Sequence, residues 1–271
     1  MRYLSVVVLF LAVACQQQPK PLQKPTETAF DGAQVTNAVA TIAHGKRISW
    51  ALGCRGCHRE NLDGGEFYER YASNLSRDLP KYSDAEIERL LRTGVPRDGR
   101  ELWAMPSEIF QHLSAADMKA LIADLRSTTP GGTPTQPPKP WDAEAKEMIA
   151  KGDFKTTKET VAQYKLVAPV DLGPNYALGR YITRVTCAEC HGATLEGAPG
   201  TKPGEPPNLV VAGGYTRAEF ETLMTKGLPS GGRTFKNELM GEVARKRFTH
   251  FTSHERDAIY DYLKARAEKS Q

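Results

Sequence analysis

Two short runs, Cys54-Arg-Gly-Cys57-His58 and Cys187-Ala-Glu-Cys190-His191, recur in one frame and constrain this chain more than any other feature. Measured from its own histidine, each run is followed by the same signals at the same distance. Ser83 and Thr216 both stand 25 residues on, and they open Ser83-Asp-Ala-Glu86 and Thr216-Arg-Ala-Glu219. In such runs a hydroxyl and a carboxylate satisfy free backbone amides at a helix start. Ile87, Leu90 and Leu91 follow in one copy, and Phe220, Leu223 and Met224 in the other, all with helical spacing. Gly94 and Gly227, both 36 residues on, suit a left-handed helix stop. Agreement of this kind marks an internal duplication.

Each copy closes on a further helix. Ser114 is placed to cap a segment with the apolar face Met118, Leu121, Ile122 and Leu125, and Thr252 with Glu255 to cap one carrying Ile259, Tyr262 and Leu263. A helix is also expected ahead of each cysteine pair, over 38–57 and 176–190. The first is the weaker pattern, because Gly45 and Gly53 lower helix propensity. No useful length alternates with period two. The pattern predicts an all-α fold of two tandem helical domains, 36–129 and 174–271. Between them, 130–173 reads as a connector that begins within the Pro- and Gly-rich break TTPGGTPTQPPKP, residues 128–140, with one short helix expected near Ala143 to Ala150. Residues 1–14 read as a secretory signal, with Arg2 ahead of an apolar run too short for the ~20 residues of a membrane span. Residues 15–35, rich in Gln, Pro, Lys and Thr, read as a flexible tether.

With 40% hydrophobic and 25% charged residues, the chain has the balance of a soluble protein, not of a membrane bundle. Its formal charge of +4 comes from scattered residues apart from the run Arg245, Lys246, Arg247, so nucleic-acid binding is not indicated. An exported chain normally commits cysteines to disulfides, but the spacing here points elsewhere. On one helical turn two thiols reach both vinyl groups of a porphyrin, and the next residue then offers its imidazole to the iron. Two covalently bound haem c groups are therefore expected, on Cys54 and Cys57 and on Cys187 and Cys190. A thioredoxin-like dithiol would require a βαβ setting. A shared zinc would require pairs about 15–20 residues apart, whereas about 130 residues separate these.

On these motifs the chain resembles the class I cytochrome c family, in particular diheme c-type cytochromes with two tandem domains. The resemblance extends to Leu62-Asp-Gly-Gly65 and Leu195-Glu-Gly197, to Asn74-Leu75 and Asn208-Leu209, and to a methionine before each last helix. It implies His58 and His191 as axial iron ligands. In that family a proline ahead of Asn-Leu places the carbonyl that orients the ligand histidine. Pro207 stands there in the second copy and Ser73 in the first, so weaker support is expected for His58. The sixth ligands are expected from Met105, 47 residues past His58, and Met240, 49 past His191, both in loops. Met118 and Met224 read as core, and His44, His112, His250 and His254 as surface or capping groups. Trp103, Tyr82, Tyr215, Arg97 and Arg233 stand in loops that could meet propionates or simply pack. The run ending at Cys15 resembles a bacterial lipoprotein processing site, which implies a lipid anchor on the periplasmic side of a membrane.

The function expected is electron relay between redox partners outside the cytoplasm. A periplasmic dehydrogenase or cytochrome would be the donor, and an oxidase or cytochrome the acceptor. The alternative is a diheme enzyme, resembling thiosulfate dehydrogenases or peroxidases, in which one axial ligand is displaceable.

Overall fold

The computed structural model describes residues 27–67, 70–197, 205–232, 235 and 238–270. The signal and Cys15 readings, and Arg233, lie outside these described residues. The first half begins with α1 (Ala38–Ala51), started by the Asn37 side chain accepting from the Ala40 amide at 2.8 Å. Gly53, at φ 84°, breaks the expected long helix, so Cys54 opens a separate turn, α2 (Cys54–Cys57). Two short strands, β1 (Gly65–Phe67) and β2 (Arg70–Ala72), pair antiparallel with Gly65 opposite Ala72. They are too short to carry a readable alternation. Then come α3 (Leu75–Asp78), α4 (Asp84–Thr93), α5 (Ser107–Phe110) and α6 (Ala115–Ser127).

The connector holds α7 (Ala143–Lys151), where one short helix is expected, and also α8 (Thr157–Tyr164). The second half runs through α9 (Ala177–Val185), α10 (Ala188–His191), a 3₁₀ segment at Leu209–Gly214, α11 (Arg217–Lys226), α12 (Leu239–Lys246) and α13 (Ser253–Lys269). As the pattern predicts, α4, α11 and α13 begin with reciprocal capping boxes, and α4 and α11 stop at Gly94 and Gly227, both at φ 68°. Each cap is worth about 1 kcal/mol to its helix.

Two helix crossings organise the core, α1 on α6 and α9 on α13. The glycine that weakens α1 as a pattern is what permits its crossing: a Cβ on Gly45 would stand 1.9 Å from the Ala120 carbonyl oxygen. Gly179 does the same in the second half, where a Cβ would stand 2.0 Å from the Ala258 oxygen. Met118, Leu121, Ile122 and Leu125 of α6 are buried in the core, each contributing roughly 1.5–3 kcal/mol by area.

The halves are joined through the carboxylates that start their last helices. Asp117 of α6 accepts from the Tyr181 hydroxyl of the other half at 2.7 Å and from the Phe30 amide at 3.0 Å. Glu255 of α13 accepts both guanidinium arms of Arg47 at 2.7 and 3.0 Å and the Asp31 amide at 2.8 Å. Both carboxylates are fully buried and paired, as burial of charge requires. Phe30 and Asp31, expected within a flexible tether, are thus held by both halves instead. Phe30, 2% exposed, stacks on Phe251 and meets Tyr181 edge-on, because an aromatic ring there closes the gap between the halves.

The connector is also bound down. Trp103, Trp141 and Phe154 form an aromatic triad with ring centroids 5.2–5.3 Å apart, and α8 packs on α5. Trp103 thus has a packing role beside Met105. Among the described residues no helix is long and apolar enough to cross a membrane.

Candidate functional site

Both CxxCH runs fold as one turn of helix, with the His58 amide bonded to the Cys54 carbonyl and the His191 amide to the Cys187 carbonyl, each at 2.9 Å. The turn puts the two thiols of each pair on one side. None of the four is in a disulfide. Burial raises every one of these thiols, Cys54 to about 12 and Cys57 and Cys190 to about 11, so they rest protonated.

Each histidine is held by its ring. His58 Nδ1 lies 2.8 Å from the Ser73 carbonyl oxygen, and His191 Nδ1 lies 2.7 Å from the Pro207 oxygen. A carbonyl only accepts, so Nδ1 carries the proton and Nε2 keeps its lone pair. Burial lowers the pKa of both rings, against the opposing carbonyl bond, which favours the neutral form that ligates metals. Among the described residues, Nε2 of neither ring makes a hydrogen bond. Ser73 therefore supports His58 as closely as Pro207 supports His191, contrary to expectation. The acceptor is a backbone oxygen, and the side chain at that position does not alter it.

What holds each carbonyl in place differs. Asn74 is buried and its Nδ2 donates to the Gly131 and Thr133 oxygens at 2.9 and 2.7 Å, while its amide donates to Thr135 Oγ1. The Pro- and Gly-rich stretch is thus a brace for the Ser73 loop. In the second half Asn208 Oδ1 instead accepts from Arg266 of α13 at 3.0 Å. Leu62 and Leu195, each four residues past the histidine, are fully buried at positive φ, 56° and 65°. Their amides close turns onto Arg59 and Gly192, and their carbonyls receive the Ser76 and Leu209 amides. The sequence offers no sign of this left-handed leucine, since its cost is outweighed only by the burial that tertiary packing supplies.

Met105 and Met240 are both half-buried against the core. Met105 lies in a loop, between Ala104 at φ 61° and Pro106. Met240 lies in the first turn of α12, a correction to the loop expected for it. Pro106 stops a helix from forming through Met105, whereas no proline follows Met240. Gly241 is inside the helix, its oxygen against Gly227.

The other histidines are engaged elsewhere. His44 Nε2 is 2.9 Å from Asp117 Oδ1, His112 Nε2 is 3.2 Å from the Tyr164 carbonyl, His250 stacks on Trp50, and His254 meets Asp31. Among the described residues no three His, Cys, Asp or Glu side chains are grouped to hold a metal ion themselves. The residues present fit a porphyrin-borne iron instead: unpaired thiols at CxxCH spacing and, next to each pair, an imidazole with its Nε2 lone pair unused.

A family model described as Cytochrome c matches residues 42–129 and again 176–267. Over 109 residues the chain is 33% identical to a component of the nicotinate dehydrogenase of Pseudomonas putida, covering 34% of this chain. The chain spans 9% of the length of that relative.

Proposed function

This chain belongs to the cytochrome c family, and from that premise we propose that it is a two-haem electron relay working outside the cytoplasm. Cys54 and Cys57 tether one haem c, and Cys187 and Cys190 the other. His58 and Met105 would hold the iron in the first half, and His191 and Met240 in the second. When bound, haem iron would supply the one-electron carrier, and thioether ligation from a methionine would raise its potential. The Ser73 and Pro207 carbonyls hold the Nδ1 protons and aim each imidazole. The domains are 36–129 and 174–271, joined by the connector. Cys15 carries a lipid anchor on the periplasmic side of a bacterial membrane.

The observation that carries this reading is the pair of matching histidines, each with its tautomer set by a backbone oxygen beside two unpaired thiols. Similarity to a dehydrogenase component supports a dehydrogenase-type electron donor, with an oxidase or another cytochrome as acceptor. A half-buried methionine in each half supports two closed irons over the open site that a diheme enzyme needs.

Met105→Ala and Met240→Ala should each lower the midpoint of one haem and open that iron to carbon monoxide. An unchanged redox titration removes that methionine from the ligand set. Cys15→Ser should release the protein from membranes, and persistence in the membrane fraction counts against the anchor.

A further inference from the structure

The basic run at the end of α12 divides by burial. Arg245 and Lys246 are exposed, but the Arg247 side chain is only 12% exposed, and it enters between the two CxxCH turns. Its Nε donates to the Ala51 carbonyl at 3.1 Å, three residues ahead of Cys54 in the other half. Its Nη1 donates to Glu189 Oε2 at 2.7 Å, inside the second motif. Gly53 makes room for it, since a Cβ there would stand 2.8 Å from the Arg247 Cζ. Nη2 is buried without a hydrogen-bond partner among the described residues.

One charge therefore reaches both attachment sites. Glu189, at 2.7 Å, is the ion-pair partner. An apolar side chain could fill this gap without the desolvation that a guanidinium incurs. What arginine adds is a fixed positive charge shared by the two turns.

We propose that Arg247 is a positioning residue that holds the two haem-attachment turns together and raises the reduction potential of both haems in common. A buried cation favours the state carrying one positive charge fewer, which is the reduced one. The inference rests on the two-haem reading above.

The test is a potentiometric titration of the full haem-loaded protein, followed by visible absorbance, for Arg247→Gln, Arg247→Lys and the surface control Arg217→Gln. Both midpoints should fall in Arg247→Gln, largely recover in Arg247→Lys and stay in place in Arg217→Gln. Should Arg247→Gln fold poorly, Glu189→Gln serves in its stead, and both midpoints should rise as the cation loses its counter-charge. A protein with two haems in which only one midpoint moves, or neither, overturns the inference and leaves the relay intact. A protein without two covalent haems removes the underlying reading and this inference with it.

Discussion

The two halves fill the same gap with opposite chemistry. Arg55 and Ala188 each follow the first cysteine of their motif, and Asp124 and Tyr262 each stand ten residues past the cap of the last helix. In the first half Arg55 Nη2 meets both oxygens of Asp124 at 2.8 and 2.7 Å, with Nε on Ser49 Oγ and Nη1 on the Glu60 carbonyl. In the second half Ala188 and Tyr262 are buried, and the tyrosine hydroxyl donates to the Val170 oxygen at 2.9 Å. The helix crossings are nonetheless alike, with Gly45 and Gly179 at the same points of contact. The fold thus demands that the space beside the crossing be occupied and its polar atoms paired. It does not demand ions, because a satisfied buried ion pair and a packed apolar group are close in net stability.

The largest effect should come from breaking the pair in the first half alone. Asp124→Ala leaves the Arg55 guanidinium buried and unmatched, at a cost of about 3–5 kcal/mol. The double replacement Arg55→Ala with Asp124→Tyr gives the first half the second half's chemistry and should recover most of that loss. Urea unfolding measures both, and a double variant as unstable as the single one breaks the comparison. A smaller loss should follow Gly45→Ala and Gly179→Ala. Each forces a methyl group against a carbonyl, at about 1–3 kcal/mol, and the two should match if the crossings are equivalent. Smallest of all is Pro207→Ser, which gives the second half the first half's residue at the histidine carbonyl. It should change stability by no more than about 0.5 kcal/mol and leave the visible spectrum as it was. A changed spectrum would mean that the proline ring, and not only its oxygen, places His191.

Much of the framework is legible in the residues because its causes are local. Ser83 with Glu86, Thr216 with Glu219 and Thr252 with Glu255 cap their helices within three residues, and Gly94 and Gly227 stop theirs within one. The CxxCH turns are equally local, and Cys54, Cys57, Cys187, Cys190, His58 and His191 stand out by spacing alone. The docking of α8 and the burial of Phe30 are not legible, because each depends on a partner surface far along the chain.

The sequence by itself determined the duplication, the helix starts and stops, and which residues could face a porphyrin, since these follow from hydrogen bonds and turns spanning a few residues. Only the tertiary structure decided that residues 131–135 brace the Ser73 loop, and that a glycine poor for helix formation is what the α1–α6 crossing needs. It also decided that the last arginine of a basic run is buried between the two motifs. These depend on distances between segments tens to hundreds of residues apart. Packing sets such distances, and a linear pattern does not encode them.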